Sequence, residues 1–297
     1  MHFKSAPQSK VVDHSAALIE PLDARVFLSA TDGPGRPPVR VPTEVALPLH
    51  VKMARDMVAN VSPENNLYAT PTVLAWAGLD GATAYKNTSV CSTLVTKLTM
   101  RAYGFKSSDF TRWTGETSPE AEDYYAATLA NNGFQRVMNI ANLRVGDLFI
   151  AKYLFPETTA TGHVAMVNAL PRMTGMTSTT RTYSMDVIDS SSSYHGSADT
   201  RNIIDPSTGE TDDGIGAGTM RMITDPSGLL IKYSWSTLQS SIIYDATQRP
   251  SVFATIPQYY FYGQAPAATL NSASAPATGR FNDKAEILGT ESADVIS

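Results

Sequence analysis

From Pro48 to Val61 apolar residues return at helical spacing: Val51, Ala54, Val58 and Val61, with Leu47 just ahead. Pro48 suits a first turn and Ser62-Pro63 a stop, so the spacing predicts an amphipathic helix. Another helix is predicted after Ser118-Pro119-Glu120, with Ser118 as cap and the proline in the first turn, running to Asn132-Gly133. Between these two, Leu94, Val95, Leu98 and Ala102 mark one helical face, and Gly104 is a natural stop. Beyond Gly133 the chain becomes strand-like, with β-rich stretches near 146–154, 163–170, 181–189, 218–223, 228–234 and 250–256. Helices first and strands second predict an α+β domain.

That domain is expected over residues 46–262. Residues 1–45 read as a leader and linker without a core: the apolar run Ala16–Ala30 is broken by charges and Pro21, and Thr31–Pro38 is rich in Gly and Pro. Residues 263–297 read as a tail, opened by a low-complexity stretch over 265–279.

Of the 297 residues 42% are apolar and only 17% charged, with a net charge of −5. An acidic chain without a Lys/Arg cluster lacks the footprint that phosphate backbones require, so nucleic acid is excluded as a partner. No uncharged apolar run reaches the ~18–20 residues of a membrane span. The single cysteine, Cys91, excludes an internal disulfide and any zinc site built on cysteine pairs. The histidines at 2, 14, 50, 163 and 195 are scattered without ligand spacing, so neither a metal nor another cofactor is expected. Gly214-Ile-Gly-Ala-Gly218 lacks the dinucleotide fingerprint and reads as a flexible loop. The acidic stretch from Asp205 to Asp213 reads as solvated.

The one thiol falls at the start of its helix. Asn87, Thr88 or Ser89 is the expected cap, which puts Cys91 in the first turn, where unpaired N–H groups favour thiolate over thiol. A small core residue is the competing reading. Downstream, Gly162-His163 opens one strand and Arg181–Asp189 forms another, with a loop over 171–180 between them. In a hairpin centred near Gly175–Met176, opposed residues sum to about 351–352, so His163 faces Ile188 or Asp189. Period two sets Tyr183, Met185, Val187 and Asp189 on one face, and Asp189 is the chemically sensible partner for an imidazole. Gly146-Asp147 reads as a structural turn.

Cys91-Ser-Thr-Leu-Val, Leu143-Arg-Val-Gly-Asp-Leu-Phe149, Gly162-His-Val-Ala-Met-Val167 and Val187-Ile-Asp-Ser-Ser191 together resemble the NlpC-like cysteine peptidases and amidases. The resemblance spans about residues 46–256 and implies a papain-like fold, with helices carrying the nucleophile packed on an antiparallel sheet carrying His and Asp. It implies a thiol hydrolase cleaving an amide bond, with Cys91 as nucleophile, His163 as base and then acid, and Asp189 orienting the imidazole. Peptidoglycan-like peptide is the implied substrate. The family's usual Asp-Cys-Ser-Gly core is absent, since Val90 precedes Cys91 and Thr93 follows Ser92, and Asp189 stands where the family often has His. Tyr85 is the candidate for the family's tyrosine before the nucleophile. Its hydroxyl and Asn87 are candidates to serve an oxyanion, and Trp235 to line the cleft. An inactive module that binds wall peptide or a protein partner, and an acyltransferase on the same fold, are the alternatives. Ala16–Ala30 resembles the leader of bacterial surface and secreted proteins, with Asp23-Ala24 where that leader has Glu-Pro, which implies an extracellular or envelope location. Ala285–Ser297 resembles the opening of a haemolysin-type calcium-binding repeat. Calcium is not expected there, because such repeats need stacked neighbours.

Overall fold

A computed structural model describes residues 47–154, 160–206 and 208–256. The predicted leader, both linkers and the repeat-like tail lie outside these residues. Those described fold as α+β, with four helices and a large antiparallel sheet. The helices are α1 (Leu49–Asn60), α2 (Cys91–Tyr103), α3 (Ser107–Thr114) and α4 (Ala121–Leu129).

Local chemistry sets their ends. In α1 the stripe of Val51, Ala54 and Met57 is buried, and the helix stops before Ser62-Pro63. Val90, rather than Asn87, Thr88 or Ser89, is the N-cap of α2; the Thr93 hydroxyl reaches back to accept its N–H at 3.1 Å. Asn87 and Thr88 are instead in a short strand, where their backbone is already committed. Gly104, at φ +69°, closes α2 by donating its N–H to the Met100 carbonyl. The cap of α4 is Glu120, two residues later than predicted, because Asp123 accepts the Glu120 N–H at 2.8 Å. Helix α3 has only Phe110 and Trp113 as buried anchors, too few to print a periodicity on the sequence.

Three short strands, β1 (Asn66–Leu67), β2 (Val73–Ala75) and β3 (Lys86–Thr88), form a small sheet in the order β1-β3-β2. The large sheet comprises β4 (Gln135–Val137), β5 (Leu148–Lys152), β6 (Gly162–Val167), β7 (Arg172–Met176), β8 (Arg181–Ser191), β9 (Gly214–Thr224), β10 (Leu230–Ser234), β11 (Tyr244–Asp245) and β12 (Ser251–Thr255). Its order is β11-β10-β9-β8-β6-β5-β12-β4, with β7 also paired to β8. Alternation along the strands divides the core. Leu148, Ile150, Val164, Met166 and Ile188 pack with Val51, Leu94, Leu98 and Tyr124 of the helices. Phe149, Ala165, Val187, Met220, Met222 and Tyr233 form a second cluster on the other face. The rings of Phe149 on β5 and Tyr233 on β10 are 4.9 Å apart although three strands lie between them, so the sheet curls onto itself.

The sequence places two features differently. The stretch over 171–180 is not all loop, since β7 pairs with β8, with a register shift between Met173 and Gly175. The turn lies at Thr177–Thr180, past the predicted centre, so β7 and β8 pair at sums of 357 and 356. A further irregularity at Asn168-Ala169, whose N–H groups both go to the Asp186 carbonyl, brings β6 and β8 to Met166↔Ile188 and Val167↔Val187, a sum of 354 rather than 351–352. Gly214–Gly218 is the first half of β9, paired residue by residue with β8, and not a flexible loop.

The Gly146-Asp147 turn joins this sheet to α1. Gly146 has φ +96°, Asp147 accepts the Arg144 N–H at 2.8 Å, and the Gly146 carbonyl is 3.0 Å from His50 Nε2. Burial pushes the Asp147 carboxyl up to about 6 against the pull of the Arg144 amide. The folded chain therefore holds this proton more tightly than the unfolded chain, whose value is near 3.8. Stability from this group falls as pH rises from about 4 through about 6, by at most about 3 kcal/mol. In urea unfolding, Asp147→Asn should gain about 1–3 kcal/mol relative to wild type between pH 4 and pH 7. Parallel pH profiles for the two proteins would refute this.

Candidate functional site

Cys91 is the first residue of α2, His163 the second of β6, and Asp189 lies near the end of β8. In the observed register Asp189 stands across from Ala165, two residues beyond His163, so His163 is its diagonal neighbour on the same face. The shift away from the predicted register is an even number of positions against a sum of 352, which preserves the face. His163 Nε2 and Asp189 Oδ2 are 2.6 Å apart. The Ser190 hydroxyl donates to the Ser89 carbonyl at 2.7 Å, which ties the end of β8 to the residues just before Cys91.

All three side chains are buried, Asp189 completely. Burial alone would lower the His163 value, but it is outweighed by the charge of Cys91, a hydrogen bond to Asp189 and one to Cys91. Together these raise His163 to about 10, so the imidazole keeps its proton at neutral pH. With Nε2 on Asp189, Nδ1 is the nitrogen left for the sulfur. The arrangement can move a proton at Cys91 and hold the resulting imidazolium against a fixed carboxylate.

Asp189 has a second set of partners that sequence reasoning missed. His195, in the loop after β8, places Nε2 2.7 Å from the same Oδ2. Arg201 Nη2 lies 2.9 Å from Oδ1 as an ion pair without hydrogen-bond alignment. Arg201 has no exposed surface and is itself clasped by Asp199, with Nε–Oδ1 at 3.0 Å and Nη2–Oδ2 at 2.7 Å. Burial would raise the Asp189 value, but the charges of His195 and Arg201, with hydrogen bonds from both histidines, hold it well below the usual carboxylate range. Space for this cluster comes from β9: a Cβ at Gly216 would run into Arg201, and one at Gly218 into Asp199 and His195. Alternating glycines in an otherwise β-rich stretch are the sequence signal that another group approaches the backbone there.

The remaining predicted residues divide. Trp235 is at the site, edge-on to His163 at 4.8 Å and stacked on His195 at 5.9 Å and 25°. Tyr85 is not brought to the thiol, because its hydroxyl donates to the Asp56 carboxylate of α1 at 3.1 Å. Asn87 is fully buried as a strut: its amide donates to Asn66, and its carbonyl accepts from Ser89. Neither is free to serve an oxyanion. The tyrosine beside the thiol is Tyr68, which hydrogen-bonds Cys91; burial first, then the charge of Cys91, raises its hydroxyl. Its backbone N–H is held by Asp213 at 2.9 Å, and Asp212 accepts from Asn66 at 3.0 Å. This part of the acidic stretch is thus bonded into the fold, and Asp205 and Asp212 are buried.

His163, Asp189 and His195 offer three ligand atoms within 4.8 Å of one another and so could hold a metal ion. Their separations of 2.6 and 2.7 Å are those of direct N–H···O contacts, and Arg201 occupies the second oxygen of Asp189.

Among known proteins, the chain is 30% identical over 195 residues to "Uncharacterized protein R653" of Acanthamoeba polyphaga mimivirus, covering 62% of this chain and 84% of that one. The two proteins belong to one family. No family model and no solved structure matches the chain. Membership of the R653 family carries no activity with it, so the chemistry of this R653-family protein rests on its own side chains.

Removing Arg201 takes the one arginine charge away from two buried carboxylates, Asp189 and Asp199. Arg201→Leu should therefore cost about 3–5 kcal/mol in denaturant unfolding at pH 7. A cost below 1 kcal/mol would mean that the cluster is not held by this ion pair.

Proposed function

We propose that this R653-family protein is a thiol hydrolase of papain-like architecture, with Cys91, His163 and Asp189 as its reacting set. The observation that carries the reading is His163 standing between the sulfur of Cys91 and a buried carboxylate that Arg201 keeps ionised. Cys91 opening a thirteen-residue helix adds the field of the helix N-terminus at the sulfur.

In this scheme the Cys91 thiolate attacks the amide carbonyl carbon and a C–S bond forms. The His163 imidazolium gives its proton to the leaving amine as the C–N bond breaks. Neutral His163 then takes a proton from water, whose oxygen attacks the thioester and releases the acid and the thiolate. Asp189 fixes the imidazole throughout. The Tyr68 hydroxyl, hydrogen-bonded to Cys91, takes the oxyanion role first given to Tyr85 and Asn87, with the helix-end amides beside it. Trp235 walls the imidazole. Peptide of the cell-wall type is the first substrate to test and an extracellular or envelope setting goes with it; both rest on the NlpC resemblance and the leader.

Iodoacetamide alkylation of Cys91 against pH, in wild type and His163→Ala, tests the pair directly. The wild-type rate should stay high down to pH ~6 and fall sharply in the variant. An ordinary rise near pH ~8.5, indifferent to His163, leaves only a binding module. Hydrolysis of peptide and peptidoglycan fragments should vanish in Cys91→Ala and persist in EDTA; loss in EDTA would instead make His163, Asp189 and His195 a metal centre. Release that requires an added amine acceptor would identify an acyltransferase. Tyr68→Phe should lower kcat by about 10²-fold with little change in KM, and an unchanged kcat would remove Tyr68 from the oxyanion role.

A further inference from the structure

Arg249, just before β12, has its guanidinium carbon 4.0 Å from the ring centre of Tyr153 and 3.8 Å from that of Tyr244. Stacking on two ring faces fixes the plane of a guanidinium and keeps its N–H donors along the edge; the Tyr233 hydroxyl meets that edge from one side. Among the described residues Arg249 forms no ion pair, in contrast to Arg101, Arg112, Arg172 and Arg201 and in common with Arg55 and Arg221, whose guanidinium groups are instead taken up by neutral oxygens. It is half-buried, so solvent reaches part of it.

Its position relative to the thiol is set by two routes. Tyr153 follows β5, where Ala151 pairs with His163 and the Tyr153 N–H donates to Thr161; Tyr153 is thus the diagonal neighbour of His163 on the same face. The charges of Arg249, Cys91 and Asp189 all bear on its hydroxyl. The second route is an unbroken aromatic wall: Trp235 packs on His163 at 4.8 Å, Tyr233 on Trp235 at 5.0 Å, and Tyr244 on Tyr233 at 5.7 Å. Arg249 ends the wall that His163 begins.

We propose that Arg249 is the recognition site for a carboxylate on the peptide that enters the Cys91–His163 site, so that the protein selects acidic peptides. The inference rests on the reading of that site as one that receives peptide. A carboxylate lying in the guanidinium plane accepts two parallel N–H bonds, and the two-ring clamp means that little side-chain freedom is lost on binding. The rings on either side supply the apolar flanks for the peptide's own hydrocarbon.

The test uses the full chain carrying Cys91→Ala, so that binding is read without turnover. Acetylated tripeptide amides containing Glu, and their Gln counterparts, are titrated by calorimetry. With Arg249 present the Glu peptides should bind at least about tenfold more tightly than their Gln partners. That ratio should fall to near one in Arg249→Met and be partly kept in Arg249→Lys, which has the charge but not the fork. In the Cys91-containing chain, Arg249→Met should leave the iodoacetamide rate unchanged, showing that the fold and the thiol are intact. A ratio near one with Arg249 present, no binding of any acidic peptide, or a ratio that survives Arg249→Met overturns the proposal. A selective, Arg249-dependent ratio in a protein that hydrolyses nothing supports it as a binding site while the hydrolase reading falls.

Discussion

A carboxylate with no solvent exposure stays ionised only where the surrounding charges outweigh the cost of removing it from water. Asp189 meets that condition through Arg201 on one oxygen and two histidines on the other, and the rest of the candidate site depends on it. Arg201, equally buried, requires Asp199 in turn, and the loop carrying His195, Asp199 and Arg201 can lie against β9 only because Gly216 and Gly218 present bare backbone. Without the glycines the arginine has no room; without the arginine the aspartate has no reason to remain charged; without that charge His163 loses a main reason to keep its proton.

The thiol is held from a different direction. Helix α2 packs its apolar face on the sheet, while the segment before it is pinned by backbone and side-chain bonds from β1, β3 and β8. Asn66 is the joint, bonding Asn87, Asp212 and the backbone of Ile215 at once. Asp213, next to it, holds the backbone of Tyr68. The acidic stretch therefore acts as a brace that brings a tyrosine hydroxyl to the sulfur, using its carboxylates as acceptors for buried amides.

Curling of the large sheet brings together residues that its strand order holds apart. Phe149, Tyr233 and Trp235 meet across the inner face, and Trp235 caps both histidines that share Asp189. One side of the site is thus a charged, hydrogen-bonded cluster and the other an aromatic wall, a division that suits a ligand with an apolar body and a polar reacting group.

Sequence alone determined the α+β order, a helix with Cys91 in its first turn and its stop at Gly104, and the strand face that Tyr183, Met185, Val187 and Asp189 share. Each is a local property, written in apolar spacing, a terminal glycine or period two. Only the tertiary structure decided the rest. The β6–β8 register followed from a turn placed at Thr177–Thr180 and from irregularities on the way back to β6 that no residue announces, yet the histidine stayed beside the aspartate. Tyr68 replaced Tyr85 beside the thiol because Asp56, distant in sequence, claims the Tyr85 hydroxyl. Arg201 and His195 carry no spacing or motif, since a buried ion pair is specified by what surrounds it in space. The one trace they left in the sequence was the alternation of Gly216 and Gly218, and its meaning required knowing which side chain fills the space those glycines leave.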